Sequence, residues 1–325
     1  MNTATPRPGR LEGRRIIVTG GAGFIGSHLC DACLDAGAER VVAVDNLYLG
    51  RRENLRDAET CPDRFCFVEQ DASDLDAMRR LVRDEKPDIL FSLAVIPLPV
   101  SLEQPRFCME HNTAIAAAAC ELAREGAVPS LVAFSSSEVY GTAQTVPMDE
   151  SHPLLPRTPY AASKAAADHL VASYIETFGV DARIVRPFNN FGPRQNDRAY
   201  AGIIPVVIRR VLAGQPVEIH GDGEQTRDFI FARDTAEAAI DIALHPDARG
   251  RVLNVGSGRE TSINELVRTL LDVLGRPDHE VRHAEPRIGD VRRHLAGISA
   301  LRALTGFEPT TPLRRGLEET VAWYR

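Results

Sequence analysis

The chain has 325 residues, of which 44% are hydrophobic and 26% charged, which predicts a globular protein with a large core and about two domains. Its net charge of -7 and isoelectric point near 5.8 argue against a nucleic-acid partner, which needs a basic face. No apolar run approaches the ~20 residues that cross a bilayer, which argues against a membrane protein.

The N-terminal residues and the cysteines indicate the cellular location and whether a metal is bound. The first ten residues, Met1 to Arg10, contain two prolines and two arginines but no apolar segment, so they predict a loose tail and a cytoplasmic location. Cys30 and Cys33 form a C-x-x-C pair, but no second pair completes a zinc set. Both fall in a predicted apolar helix, where reduced cysteine packs as a small hydrophobic residue. We therefore expect no metal site.

Short β-branched runs alternate with helical stretches along the first half of the chain, which is typical of a parallel sheet covered by helices. The predicted strands are Ile16–Thr19, Val41–Val44, Phe65–Val68, Ile89–Leu93, Leu131–Ser135 and Ala182–Arg186, and the predicted helices are Phe24–Asp35, Leu75–Arg83, Phe107–Arg124 and Tyr160–Phe178. The pattern predicts an α/β fold, a Rossmann-type doubly wound parallel sheet of about seven strands.

After Pro187 the sequence changes to Asn-, Gly- and Pro-rich loops around shorter elements, which predicts a smaller α/β lobe. The elements are a helix near Ile203–Ala213, a strand near Val217–His220, a buried strand at Val252–Val255, and helices at Ile263–Leu274 and Leu313–Tyr324. Because one buried strand comes so late, we expect the two parts to interleave. The predicted first domain covers 1–187 with 229–258, and the lobe covers 188–228 and 259–325.

A glycine-rich turn follows the first strand: Gly20-Gly21-Ala22-Gly23-Phe24-Ile25-Gly26. Glycines at 20, 23 and 26 permit a tight turn, close approach of the backbone to a pyrophosphate, and close packing of helix against strand. The helix N-terminus that follows favours negative charge. The turn, with Phe24 and Ile25, predicts a dinucleotide-binding site.

Acidic residues at strand ends indicate which dinucleotide binds. Asp45 comes 19 residues after Gly26, where a carboxylate can accept hydrogen bonds from both adenosine ribose hydroxyls, which favours NAD over NADP. The alternatives are a plain turn aspartate, or a 2′-phosphate bound by Arg51 and Arg52. Asp71 is a candidate for the adenine edge or, equally, a solvated loop carboxylate. The remaining predicted cofactor contacts are Asn46, Ala72, Leu93 and Ala94.

A possible catalytic group opens the helix at Tyr160-Ala161-Ala162-Ser163-Lys164. A spacing of four puts Tyr160 and Lys164 on one helix face. An ammonium and a positively charged nicotinamide would stabilise a tyrosine phenolate, which can take a proton from a sugar hydroxyl while hydride leaves the same carbon. Ser136 ends a strand 24 residues before Tyr160. This set, following a glycine turn, predicts NAD-dependent chemistry.

Together these motifs resemble the extended short-chain dehydrogenase/reductase family, in particular its NAD-dependent nucleotide-sugar epimerases, dehydratases and decarboxylases. The resemblance rests on residues 19–26, 135–141, 160–164, 186–193, 221–228 and 287–290. It implies that Ser136 hydrogen-bonds the reacting hydroxyl, that Tyr160 is the base, and that Lys164 holds the nicotinamide ribose. It also implies substrate contacts by Asn189, Arg227 and Arg287, with the two arginines neutralising the diphosphate.

The step that follows oxidation at sugar carbon 4 decides the activity. An epimerase rotates the ketone and needs no further acid or base, whereas a 4,6-dehydratase needs a base at carbon 5 and an acid at carbon 6. If Ser136 and Glu138 lie on an extended segment they face the same side, so Glu138 could reach the substrate. The resemblance to 4,6-dehydratases implies that Glu138 is the base at carbon 5 and Ser137 a hydroxyl relay. The resemblance to dehydratases favours that reaction. A 4-epimerase, a uronic-acid decarboxylase and a purely structural Glu138 are the alternatives.

The segment 92–101 departs from the family and carries two prolines, which predicts a rigid apolar wall beside the sugar, and Ile115 stands where glycine is usual. The family implies a homodimer through the helices 107–124 and 160–178.

A protein that only senses NAD would not need Ser136, Tyr160 and Lys164 together, so we expect an enzyme. No loop motif identifies the nucleotide base or the sugar.

Overall fold

The computed structural model describes residues 9–197, 202–285 and 292–325. Its strands are β1 (Arg15–Thr19), β2 (Arg40–Asp45), β3 (Phe65–Glu69), β4 (Ile89–Ser92), β5 (Ser130–Phe134), β6 (Ala182–Pro187), β7 (Asn189–Phe191), β8 (Val217–His220), β9 (Thr226–Arg227), β10 (Phe229–Phe231), β11 (Val252–Val255), β12 (Thr261–Ser262) and β13 (Val281–Ala284). Its α-helices are α1 (Phe24–Asp35), α2 (Leu75–Glu85), α3 (Leu98–Glu103), α4 (Pro105–Arg124), α5 (Pro159–Phe178), α6 (Ile203–Leu212), α7 (Ala232–Leu244), α8 (Ile263–Leu274), α9 (Ser299–Thr305) and α10 (Leu313–Tyr324).

Seven strands form the central sheet, in the order β11-β6-β5-β4-β1-β2-β3. Every neighbouring pair is parallel, and the inner strands are buried along nearly their whole length. Such strands consist of β-branched and other apolar residues because helices cover both faces of the sheet. The structure confirms the predicted Rossmann-type sheet, including the late strand at 252–255.

The two faces of the sheet carry separate hydrophobic cores. Helices α1 and α7 pack on one face around Leu29 and Ile240, whereas α2, α4 and α5 cover the other around Cys120 and Val171. The chain winds from β1 to β2 and β3, then returns to β4 on the other side of β1. This reversal opens a crevice at the carboxyl ends of β1 and β4, where ligands bind in such folds.

The smaller lobe has its own core, built around Phe191, Ile208, Leu266 and Leu317. It contains three short strand pairs, β7 with β10, β8 with β13 and β9 with β12. The segment 229–258 is shared between the two parts, since β10 belongs to the lobe while α7 and β11 pack on the central sheet. The boundaries drawn from the sequence therefore stay a proposal. Within the described ranges, no helix is both long and apolar enough to span a bilayer.

One helix forms where the sequence analysis expected only a rigid loop. Helix α3 begins after Pro97 and has Pro99 in its first turn, where the missing N–H has no partner to lose. The wall that was predicted from the two prolines is therefore a loop followed by a short helix.

Candidate active site

The glycine turn between β1 and α1 is closed too tightly for a side chain at three positions, Gly20, Gly21 and Gly26. A Cβ on Gly26 would lie 2.1 Å from the carbonyl oxygen of Gly20, and one on Gly20 would lie 2.8 Å from the amide nitrogen of Ala94. Gly20 also has a φ of +69°, which disfavours other residues. Helix α1 follows Gly23, so its first amide groups are available to an anion.

Asp45 lies at the end of β2 beside this turn and is 8% exposed. Its two oxygens accept hydrogen bonds from the amides of Ala22 (3.1 Å) and Leu47 (2.8 Å), which leaves further acceptor capacity on the carboxylate. Burial raises the pKa of Asp45, and these backbone hydrogen bonds offset part of that rise. Arg51 is paired with Asp197 and Glu53. The geometry thus favours a ribose diol at Asp45.

The predicted adenine contact, Asp71, is held in a polar cluster. Its Oδ1 accepts from the amide (2.8 Å) and hydroxyl (2.6 Å) of Ser73, and its Oδ2 lies 2.9 Å from Asn46 Nδ2 and 3.2 Å from His111 Nε2. Burial raises the pKa of Asp71, but these hydrogen bonds outweigh it, so the net shift is downward. An incoming adenine amine would share or replace one of these donors.

A cavity of about 440 Å³ runs along the carboxyl ends of the sheet strands. Every residue that the sequence analysis assigned to the cofactor lines it, together with Ser136: Gly20, Gly23, Phe24, Ile25, Gly26, Asp45, Asn46, Asp71, Ala72, Leu93, Ala94, Tyr160 and Lys164. The glycine turn at one end of the cavity has no room for side chains and fits the pyrophosphate of NAD. The Asp45 carboxylate beside it fits the ribose as a hydrogen-bond acceptor.

The segment Ser136–Tyr140 after β5 carries the predicted catalytic residues and is called the catalytic turn below. Its conformation differs from the extended one that was expected. Ser136 is extended (φ -158°, ψ 148°), but Ser137–Tyr140 form a 3₁₀ turn, so the premise that Ser136 and Glu138 share an extended segment is wrong. The turn forms because the Ser136 hydroxyl accepts a hydrogen bond from the Glu138 amide at 3.2 Å. Ser137 is 4% exposed, and neither Ser137 nor Glu138 is among the residues that line the cavity.

Glu138 nevertheless lies close to the proposed base. Burial raises its pKa, and the positive charge of Arg227 offsets part of that rise. The charge of Glu138 in turn contributes to raising the pKa of Tyr160. The carboxyl group therefore lies within electrostatic range of both Tyr160 and Arg227.

Tyr160 and Lys164 lie on the first turns of α5, which begins because Thr158 caps the Ala161 amide at 3.1 Å. Burial raises the pKa of Tyr160 to about 12, although a hydrogen bond with Ser136 lowers it in part. Burial lowers the pKa of Lys164 to about 8, and its ammonium donates to the carbonyl of Phe134. A stabilised phenolate was predicted from the sequence, whereas the protein environment alone favours the neutral phenol.

The predicted substrate residues lie on the lobe side. Asn189 donates to the Asp228 carbonyl (3.3 Å) and lies 3.4 Å from His294 Nδ1, and its neighbour Asn190 is the residue that lines the cavity. Arg227 donates to the Thr226 carbonyl (2.8 Å). The third predicted residue, Arg287, lies outside the described residues.

Two groups at the site were not predicted. Asn112, Ser163 and Cys108 form a buried hydrogen-bonded cluster, with Asn112 Nδ2 2.9 Å from Ser163 Oγ, and Tyr160 packs against Cys108. Cys108 and Asn112 are four residues apart on α4, and this helical spacing could have indicated the cluster from the sequence. His294 touches segments that are more than 100 residues away in sequence, and no local pattern marks it.

Comparison with known proteins gave a family match across most of the chain. Residues 16–256 match the model of the "NAD dependent epimerase/dehydratase family". The UDP-glucose 4-epimerase of Mycolicibacterium smegmatis is 37% identical over 313 residues, covering 96% of this chain and 98% of the relative. The dTDP-glucose 4,6-dehydratase of Actinoplanes sp. is 33% identical over 318 residues, covering 96% and 98%.

A solved structure extends the similarity to three dimensions. The dTDP-glucose 4,6-dehydratase DesIV from Streptomyces venezuelae, crystallised with NAD, matches with a TM-score of 0.88 and 32% identity. The match covers 96% of this chain and 97% of that structure. Relatives with two different reactions thus share the whole fold.

Proposed function

The chain belongs to the NAD-dependent epimerase/dehydratase family, within the extended short-chain dehydrogenases/reductases, and on that premise we propose that it is a nucleotide-hexose 4,6-dehydratase. Family membership establishes an NAD-dependent enzyme that modifies nucleotide sugars. When bound by the glycine turn, Asp45 and Lys164, NAD supplies the acceptor for the carbon-4 hydride and a positive charge that favours the Tyr160 phenolate.

The residues of the chain supply the first proton transfer. Ser136 and Tyr160 line the same cavity, and Ser136 lowers the pKa of the Tyr160 hydroxyl, so Ser136 would orient the carbon-4 hydroxyl while Tyr160 takes its proton. Lys164 is anchored on the Phe134 carbonyl and provides positive charge near the phenolate while it is protonated. The three side chains line one cavity, which supports catalysis over a protein that only senses NAD.

Glu138 carries the proposal for a dehydratase. It is a carboxyl group with a raised pKa, close to Tyr160, and a raised pKa suits a group that must both take and return a proton. Glu138 would remove the carbon-5 proton of the keto-sugar and return it to the carbon-6 hydroxyl, which leaves as water. We assign both transfers to Glu138 because a carboxyl group, unlike the Ser137 hydroxyl, is an effective general acid and base. Neither side chain lines the cavity. A simple epimerase has no use for this carboxylate.

A UDP-sugar 4-epimerase is the second candidate. The position of Ser137 and Glu138 outside the cavity lining favours it, because a dehydratase needs an acid and a base at the sugar and an epimerase does not. The 37% identity to an epimerase also supports it. In that reaction Ser136, Tyr160 and Lys164 would act as above, and Glu138 would have only a structural role.

Product analysis tests the proposal. The purified protein is incubated with UDP-, dTDP-, GDP- and CDP-hexoses and with UDP-uronic acids, and products are followed by mass spectrometry and proton NMR. Loss of one water supports the dehydratase. An isobaric product inverted at carbon 4 would make the enzyme an epimerase, and loss of carbon dioxide would make it a decarboxylase.

The family also leads us to propose a homodimer through α4 and α5. These helices pack against each other within one chain, and small residues remain partly exposed on α4, namely Ala114, Ala116 and Ala117. Light scattering after gel filtration would give twice the 35.6 kDa chain mass if the proposal is right.

A further inference from the structure

Asp228 is a buried residue between β9 and β10, and the reaction described above does not use its side chain. It is 0% exposed and directly follows Arg227 in sequence. Its main-chain carbonyl accepts hydrogen bonds from the amide (3.1 Å) and the side chain (3.3 Å) of Asn189. Asp228 therefore adjoins both of the predicted substrate residues that the structure describes.

Four donors surround the carboxylate of Asp228. Oδ1 accepts from the amide (2.7 Å) and the hydroxyl (2.6 Å) of Ser257, and Oδ2 accepts from the amides of Gly258 (2.9 Å) and Ala296 (3.2 Å). An ionised carboxylate has about four acceptor positions and no donor, so this set matches the charged form. Burial raises the pKa of Asp228, and these hydrogen bonds offset part of that rise. A buried polar group with all its partners in place rigidifies the segments that it joins.

The loop after β11 is shaped to reach this carboxylate. A Cβ on Gly256 would lie 2.9 Å from Asp228 Oδ2 and 2.5 Å from the Cβ of Ala296, so a larger residue would push the loop away. Gly258 has a φ of +69°, which favours glycine. The loop therefore brings its amides close to a residue of the lobe because two of its positions are glycine.

These contacts join the lobe to the central sheet. Strand β11 belongs to the sheet that carries the cofactor cavity, whereas Asp228 lies between the lobe strand that carries Arg227 and the one that pairs Phe229 with Asn189. We propose that Asp228 is a positioning residue, whose carboxylate holds Arg227 and Asn189 in place against the end of β11 so that both can bind the substrate diphosphate. The role of the two residues in substrate binding rests on the proposed function, whereas the effect on their main chain does not.

The first test reads the main chain without any substrate. Hydrogen exchange of the NAD complex is followed by mass spectrometry in the wild type and in Asp228→Asn, which places an NH₂ group against amides that can only donate. We expect the amides of Ser257, Ala296 and Asn189 to exchange about tenfold faster or more in the variant. Unchanged exchange at Asn189 would overturn the proposal.

Two further variants serve as controls. Asp234→Asn changes another buried carboxylate, which accepts from the Thr310 hydroxyl (2.7 Å) and the Thr311 amide (3.0 Å), and it should leave exchange at residues 187–191 unchanged. Equal acceleration there would indicate general loosening and contradict the proposal. Ser257→Ala removes one of the four donors and leaves the Asp228 carboxylate in place, so it decides the question even if Asp228→Asn does not fold. We expect it to accelerate the same amides about threefold, and wild-type rates would contradict the proposal.

The second test reads the substrate site. UDP, dTDP, GDP and CDP are titrated by calorimetry into the NAD-loaded protein, because each carries a diphosphate without the sugar. We expect Asp228→Asn to bind the preferred nucleotide about tenfold or more weakly, with NAD affinity within about threefold, since charge-assisted hydrogen bonds to the diphosphate are lost. In turnover KM should rise similarly while kcat stays within about threefold.

Two outcomes separate the inference from its alternatives. Equal losses of affinity for the nucleotide and for NAD in Asp228→Asn, with a lower melting temperature, would indicate a merely structural carboxylate. If the wild type binds none of the four nucleotides, the proposed function fails, and hydrogen exchange at Asn189 still decides whether Asp228 positions it.

Discussion

Arg186 Nε lies 2.9 Å from a carboxylate oxygen of Asp168, and both side chains are buried. Asp168 is one helical turn after Lys164 on α5, and its charge raises the pKa of Lys164 against the larger lowering by burial. Arg186 also donates to the Tyr140 hydroxyl at 3.0 Å, at the end of the catalytic turn. This ion pair thus supports Lys164 and the catalytic turn together.

In the wild type we expect activity to fall at alkaline pH with an apparent pKa set by Lys164. Asp168→Asn should lower that apparent pKa by roughly half a unit or more. In the proposed mechanism Lys164 stabilises the phenolate only while it is protonated, and without the Asp168 charge it loses its proton at lower pH. The pH dependence of kcat/KM checks this. Asp181→Asn is the control, because it takes a carboxylate from another buried arginine, Arg183. A profile that does not move would contradict the role of Asp168.

Asp45→Asn should weaken NAD binding about tenfold or more, because hydrogen bonds to a charged acceptor contribute about 1.5–3 kcal/mol. Isothermal titration calorimetry with NAD and NADP would measure the loss and the preference between them. Asp74→Asn is a suitable control, since Asp74 caps α2 through the Ala77 amide and asparagine is an equally good cap. Unchanged NAD affinity would remove Asp45 from the ribose site.

Glu138→Gln should stop elimination while oxidation at carbon 4 continues, because the amide cannot take the carbon-5 proton. The measurements are NADH absorbance after addition of substrate and exchange of the carbon-5 proton with deuterated water. Glu150→Gln is the matched control, since Glu150 Oε1 accepts from the Asn254 amide at 2.8 Å and glutamine keeps that oxygen. Unchanged product formation would leave Glu138 with a structural role.

Acid should destabilise the fold partly through His28. Burial lowers its pKa to about 3, below the ordinary value of 6.5. Its stabilising contribution is therefore complete above pH 6.5 and is lost as the pH falls toward 3, by about 2 kcal/mol at pH 5. Melting temperatures at pH 7 and pH 5 should differ less in His28→Gln than in the wild type. Asp31, whose pKa burial raises to about 6, opposes the trend equally in both proteins.

The sheet and the cofactor cavity were predictable because their signals are local. Apolar periodicity placed α1, α8 and α10 with the ends they have in the structure, and the glycine turn with Asp45 located one end of the cavity. Such signals depend on neighbours in sequence. In the structure these signals correspond to strands that are buried on both faces and to two glycines, Gly20 and Gly26, where a side chain would clash with the backbone.

The catalytic turn and the lobe contacts were not predictable in the same way. The 3₁₀ turn at 137–140 depends on one hydrogen bond from the Glu138 amide to Ser136, which alternation along a strand cannot reveal. The raised pKa of Tyr160 follows from tertiary burial, and the contact of His294 with Asn189 joins residues 105 positions apart. Such features depend on how distant segments pack together.

The most direct test of the central claim, that this chain oxidises a nucleotide sugar with Tyr160 as base, is the rate at which transient NADH forms in Tyr160→Phe, followed by stopped flow after addition of the substrate found in the product screen. We expect a loss of about a thousandfold or more, with NAD binding and melting temperature close to wild type. Tyr174→Phe, on the same helix with its hydroxyl bonded to Glu121, should stay active. Wild-type NADH formation by Tyr160→Phe would contradict the account.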